Sequence, residues 1–283
     1  MAYRFMCYPG GLRKAVTFSY DDGSLDDIKL SEMFNKYKMK ATFNLNSKRL
    51  ADGNGMTVAD AKSFIAAGHE IAVHGRCHVA NGIARPVDGI RDVLHGREEL
   101  EDMLDDIIRG MAYPDTGVTN FFNGTDYQTV RTYLNQLGIV YSRTLGGDNN
   151  TFCLPDDWYA WMPTAHHNNP LISEYIDEFL SLDLENNYSA LRHPRLFYIW
   201  GHAFEFECDK NWFHIEEICR RLGGREDIWY ATNIEIYDYV MAYNSLIWSA
   251  DGKKVYNPTL IDVWFADDDK RYIVRSGETL KIK

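Results

Sequence analysis

Short apolar runs alternate along the chain with segments in which apolar residues recur every three or four positions. Residues 15–20 are apolar and β-prone, and the stretch behind them sets Leu30, Met33, Phe34 and Tyr37 on one helical face. Residues 40–46 read as a second strand. A short helix is predicted over 57–67, with Thr57 and Asp60 at capping-box spacing and Gly68 as its stop. Residues 69–74 form the third predicted strand. A long amphipathic helix follows from about Val87 to Arg109, ended by Gly110, with a fourth strand at 111–113. A helix over 126–137 stops at Gly138 and leads into a strand at 139–142; the sixth and seventh strands are 195–200 and 228–231. Strands alternating with helices imply an α/β fold with parallel pairing and helices outside, and a barrel is favoured over the open sheet that the same pattern permits.

Two regions break the alternation. Residues 145–170 form a long connection rich in Asp, Asn, Trp, Pro and His, and long connections in compact domains carry function or move. After Trp248 the pattern changes to short strands at 254–256, 260–265, 272–274 and 280–282, with turn residues between them. This predicts a barrel over 1–248 and a small C-terminal β extension over 249–283. The extension is read as a structural addition or oligomer contact in preference to a carbohydrate-contacting module.

Polar clusters stand at the exits of two of these strands. Asp21-Asp22 ends the first and runs into Gly23. Adjacent carboxylates repel and cannot both be buried unpaired, and a glycine lets the backbone turn there. His74-Gly75-Arg76-Cys77-His78 follows the third strand. Two imidazoles four residues apart can converge on one ion, and a carboxylate is a usual third ligand. One Asp and two His would then hold a metal, with a spare Asp beside them.

The wider composition narrows the partners. A net charge of -11 argues against nucleic acid and anionic membranes. Five scattered cysteines without a Cys-x-x-Cys pair read as free thiols, and no apolar run is long enough for a signal peptide or a membrane span, so the expected location is cytoplasmic. Aromatic residues make up 14% of the chain; they serve a ring-rich core, a sugar-stacking groove, or both.

The segment Thr17-Phe18-Ser19-Tyr20-Asp21-Asp22-Gly23 resembles the first motif of the polysaccharide deacetylases (NodB-like carbohydrate esterases). Gly68-His69-Glu70-Ile71-Ala72-Val73-His74-Gly75-Arg76-Cys77-His78 is similar to their second, Met111-Ala112-Tyr113-Pro114-Asp115 to their third and Tyr198-Ile199-Trp200-Gly201-His202 to their fifth. The resemblance spans roughly residues 12 to 245 and implies a distorted seven-stranded parallel (β/α) barrel. It further implies removal of an N-acetyl or O-acetyl group from a saccharide. Asp22, His74 and His78 would hold a divalent ion, zinc first, with cobalt, nickel or manganese also fitting. Asp21 would be the general base and His202 the acid. In such barrels active-site residues lie past the C-terminal ends of the strands, where Asp21, Asp22, His74, His78, Asp115 and His202 are all expected.

Departures from the family pattern shape the remaining expectations. Ala112 stands where the third motif usually has an arginine beside the catalytic Asp, so Asp21 is expected to titrate higher than in typical relatives. The Asp115 backbone N–H is a candidate oxyanion donor, with Tyr113 beside it. Asp157, in Leu154-Pro155-Asp156-Asp157-Trp158, is the candidate for orienting His202. Trp161, His166 and His167 are expected to line the pocket, and Glu205 and Glu207 to be surface or substrate contacts. Two other readings stay open: a degenerate relative that binds carbohydrate without catalysis, and a barrel hydrolase acting on another small amide.

Overall fold

The structure, a computed structural model, describes residues 3–145, 147–188 and 191–282. Gly146, within the predicted long connection, and Lys283, the last residue of the predicted tail, lie outside them. All seven predicted strands are present and pair in parallel. Along the sheet the order is Tyr141–Arg143, Gly110–Ala112, Glu70–Val73, Thr42–Leu45, Lys14–Asp21, Arg195–Gly201, and then a two-residue strand, Ala165–His166, that the sequence pattern does not single out. Ile228–Tyr230 pairs with the first half of Lys14–Asp21, whose second half pairs with Thr42–Leu45. The result is a distorted (β/α) barrel. The segment after Trp158 bridges its open side: Trp161 N–H donates to Ser142 O at 3.1 Å on one flank, and Thr164 N–H to Tyr198 O at 2.8 Å on the other.

Helices cover the outside for the reasons the sequence gives. Val58–Ala66 starts in a capping box, with Asp60 N–H on Thr57 Oγ1 and Thr57 N–H on Asp60 Oδ2. The long helix is Pro86–Leu104, shorter than predicted, because Asp105 adopts a left-handed conformation (φ 57°) and ends it there. Ile107, assigned to that helix from its apolar spacing, is 74% exposed. The strand Lys14–Asp21 is buried along its whole length, as expected for a parallel strand with both faces covered. Phe18, Phe34, Phe43 and Phe64 fill the layer between barrel and helices. The tail forms two antiparallel three-stranded sheets. Arg4–Cys7, from the start of the chain, joins Val263–Asp267 and Lys270–Val274 in one; Ile247–Trp248, Lys254–Tyr256 and Thr279–Lys281 make the other. No helix among the described residues is long and apolar enough to cross a membrane.

His69, in the second motif, belongs to this core and not to the barrel mouth. It lies at the start of its strand, 5% exposed, against Phe43 and Phe64, and Nδ1 accepts the Ala41 N–H at 3.1 Å. Burial, with Lys40 nearby, pushes its pKa down to about 4. The unfolded chain therefore binds this proton first as pH falls, and the stability that the neutral ring contributes is complete above about pH 6.5 and lost toward pH 4. A shift of that size corresponds to roughly 3 kcal/mol. Urea denaturation of the metal-free chain is expected to show this loss. His69→Asn, which keeps an acceptor for Ala41, should flatten the profile; an unchanged profile would remove His69 as its source.

Candidate functional site

Strand register gathers the site. Tyr20 pairs with Gly201, so Asp21 and His202 leave adjacent strands at the same level. Val73 pairs with Met111 and Ala112 with Arg143, which sets His74, Ala112 and Arg143 at a common level across the next three strands. Three residues of the mouth have left-handed backbones without being glycine: Asp22 (φ 81°), His78 (φ 59°) and Asp115 (φ 47°). Such conformations cost energy and cluster where a fold must aim side chains. The His74–His78 turn is held from behind by the long helix. Asp92 accepts from Cys77 N–H at 2.7 Å, and a Cβ at Gly75 (φ 73°) would lie 2.2 Å from the Asp92 carboxylate. Only glycine fits that crossing.

Asp22, His74 and His78 converge. Their ligand atoms lie within 4.8 Å of one another, with Asp22 Oδ1 3.6 Å from His74 Nε2 and 3.5 Å from His78 Nε2. His74 Nδ1 lies 2.9 Å from the Ala112 carbonyl, which can only accept, so the proton sits on Nδ1 and Nε2 presents its lone pair inward. Burial keeps the His74 ring below the usual imidazole range, against the pull of Asp21 and Asp22, and so favours the neutral ligand form. His78 Nδ1 faces the Asp115 carboxylate at 3.5 Å. Two imidazole nitrogens and one carboxylate oxygen are a donor set suited to a zinc-class ion with open positions.

Asp21 is 1% exposed and fully engaged on one side. Oδ1 accepts from Asn44 Nδ2 at 2.8 Å, and Oδ2 pairs with Arg143 Nη2. Oδ2 also lies 4.0 Å from both His74 Nε2 and His202 Nε2. The expectation that Asp21 lacks a cationic neighbour is therefore wrong. Ala112 carries no charge, but Arg143 on the next strand stands on the same rung, fully buried, with its guanidinium 4.3 Å from the Trp200 ring centroid. Burial alone would raise the Asp21 pKa; Arg143, His74 and His202 outweigh it and hold the carboxyl below its ordinary range.

His202 finds a different partner from the predicted one. Its Nδ1 lies 3.2 Å from Glu205 Oε1, one helical turn on. Burial opposes its charge, but Glu205 and Asp21 prevail and raise its pKa. Glu205 also meets His166 Nε2 at 3.2 Å and His167 Nε2 at 2.9 Å, and these contacts outweigh its burial and keep its carboxyl strongly acidic. His166, His202 and Glu205 also have ligand atoms within 4.8 Å of one another. Here, however, His166 Nδ1 accepts the Asn168 N–H at 3.1 Å, which puts the ring proton on Nε2 facing the carboxylate. The group is a carboxylate surrounded by imidazoles, not a preformed set of lone pairs. Asp157 stands elsewhere: it accepts from Tyr159 N–H and Tyr127 O–H, with Arg131 at 3.6 Å.

Other predicted pocket residues divide. Trp161 is 1% exposed and packed edge-on to Tyr141, Trp158 and Tyr198, so it is core. Tyr113 is also core; its O–H donates to Tyr159 O and its N–H to Arg143 O. The Asp115 N–H has no partner among the described residues and remains a candidate donor. His167 is buried between Tyr20 and Phe206. Glu207 bonds Lys210 and Trp212 at the surface. Arg143 and Glu205 are two of the site residues that sequence reasoning passed over or misplaced. Each had a signal: a charge at the end of a predicted barrel strand, and a carboxylate three residues after a histidine at a helix start.

The comparisons agree with this architecture. The family model described as polysaccharide deacetylase matches residues 9–142. No curated protein matches. Among solved structures, a polysaccharide-deacetylase-like protein from Mycobacterium smegmatis has a TM-score of 0.56 at 17% identity, covering 86% of this chain and 96% of that one. A single-site variant of the peptidoglycan deacetylase PdaC from Bacillus subtilis has a TM-score of 0.51 at 14% identity, covering 82% and 94%. A variant of a carbohydrate esterase family 4 pseudoenzyme with restored activity has a TM-score of 0.50 at 14% identity, covering 82% and 69%. At these identities the structural likeness speaks for the fold alone, and over residues 9–142 the sequence matches the polysaccharide deacetylase family.

Proposed function

We propose that this protein is a metal-dependent hydrolase that removes an acetyl group, N-linked first, from a saccharide. The observation that carries the reading is the meeting of the Asp22–His74–His78 triad with the Asp21 carboxylate on one side and the His202 imidazole on the other. Asp22 Oδ1, His74 Nε2 and His78 Nε2 would hold the ion. When bound, a zinc-class ion polarises the acyl oxygen and makes water acidic enough to ionise near neutral pH.

The chain's own residues supply the proton transfers. Asp21 Oδ2 keeps a lone pair beyond the one given to Arg143 and takes a proton from the attacking water. Arg143 and Asn44 fix that carboxylate so that its free lone pair stays aimed at the mouth. Glu205 orients His202 through Nδ1 and leaves Nε2–H facing the site, where it protonates the departing nitrogen. The Asp115 N–H is the proposed donor to the acyl oxygen. The five unpaired cysteines support a reducing compartment for this activity.

An amine leaves only once protonated, whereas an activated ester departs without help. His202→Ala is therefore expected to reduce acetate release from N-acetylated sugars by roughly 10²–10⁴ and to spare activated acetate esters. Parallel kinetics on the two substrate types check this. Equal losses on both would take His202 out of the acid role.

A further inference from the structure

A cavity of about 460 Å³ opens beside the triad, and Asp22 and His78 form part of its wall. The rest of its charged lining is Lys48, Arg49, Arg76 and Asp52. With Asp22 counted, three Lys and Arg face two Asp, the reverse of the chain as a whole, which has 30 Lys and Arg against 41 Asp and Glu. Two of the cations are matched: Lys48 Nζ meets Asp52 at 2.7 Å, and Arg76 Nε meets Glu99 at 2.7 Å. Arg49 is not. Its Nε donates to the Asn54 carbonyl at 2.7 Å, which anchors the side chain, and among the described residues neither of its Nη atoms has a hydrogen-bond partner and no carboxylate lies within ion-pair distance.

The wall is built to stay in place. Glu99 accepts from both Ser47 Oγ and Arg76 Nε at 2.7 Å, and Lys48 N–H donates to Arg76 O at 3.3 Å, tying the two cation-bearing segments together. An anchored guanidinium with free terminal nitrogens is suited to a planar or tetrahedral oxyanion. The proposed hydrolysis itself gives no reason for cations there, since the acetyl group and the sugar hydroxyls are neutral.

We infer that the cavity is a substrate subsite for an anionic substituent, a phosphate or a carboxylate, on the acetylated saccharide, with Arg49 as its principal reader and Lys48 and Arg76 in support. This rests on the proposed deacetylation for its position next to the reacting group. A charge-assisted contact of this kind corresponds to roughly a 10- to 100-fold preference.

The test uses the zinc-loaded full chain with N-acetylglucosamine, its 1-phosphate, its 6-phosphate and the corresponding uronic acid. Acetate release and calorimetric binding are measured on wild type, Arg49→Gln and Arg49→Lys. At least one anionic sugar is expected to exceed the neutral one in kcat/KM by about tenfold or more. That ratio should shrink with added NaCl, collapse in Arg49→Gln and recover partly in Arg49→Lys. The phosphate and carboxylate arms tell the two sources apart. Equal use of neutral and anionic sugars, or equal losses on both in Arg49→Gln, overturns the subsite. If no sugar releases acetate, the proposed activity fails and calorimetry decides the subsite alone: anion-dependent binding weakened by Arg49→Gln sustains it, and its absence overturns it.

Discussion

Asp21→Asn is expected to cut turnover on N-acetylated substrate by roughly 10²–10⁴ while the chain still binds its ion. Asp22, not Asp21, shares ligand distance with both imidazoles, at 3.6 and 3.5 Å. Asp21 stands one step back, with Oδ2 4.0 Å from His74 Nε2. An amide at this position cannot accept the proton from water yet keeps the shape that Asn44 packs against. Asp22→Asn should act differently and weaken the ion itself. Metal content and steady-state kinetics on the two variants separate these outcomes; equal metal loss in both would mean that the carboxylates do not divide their roles.

The second large effect is on stability and concerns Arg143. Its side chain is fully buried, and so is that of Asp21. Removing one member of a buried pair strands the other charge at a cost of about 3–5 kcal/mol. Arg143→Met should therefore destabilise the metal-free chain by that amount at pH 7. Without Arg143, burial dominates and the folded pKa of Asp21 rises above its unfolded value. The folded state then holds the proton more tightly, so the penalty is full above the raised pKa and fades as pH falls toward about 4. Asp21→Asn strands the guanidinium instead and should cost a similar amount. The double variant strands neither charge, so its loss should be well below the sum of the two single losses. Additive losses in urea denaturation would show that the two residues do not form a coupled pair.

How much of this was legible in the sequence follows from which interactions set each feature. The barrel strands announce themselves because strands covered on both faces are rich in apolar residues, as Lys14–Asp21 is with Ala15, Val16, Phe18 and Tyr20. The triad was legible because its members lie at strand exits with short local spacing. The Asp21–Arg143 pair was not, since 122 residues separate the partners and only the register of Ala112 against Arg143 brings them together. An arginine absent from one strand end was replaced from the neighbouring one, which no local motif reveals. Asp157 misled for the opposite reason: an Asp before Trp fits a familiar spelling, but its carboxylate caps the turn at Trp158–Ala160. Glu205, three residues from His202, was within reach of helical spacing alone. Trp161 could not be told from a groove residue until the segment bridging the barrel's open side was placed.

The measurement that bears most directly on the central claim is metal content and acetate release on the same preparations of wild type and His78→Ala. His78 lies on a surface turn with its side chain 34% exposed, so the variant should fold. Wild type is expected to carry close to one zinc-class ion per chain, with activity that chelation removes and the ion restores, and His78→Ala to lose both ion and activity. A His78→Ala chain that keeps its full metal content, or a wild-type chain that releases acetate equally well after chelation, would contradict that claim.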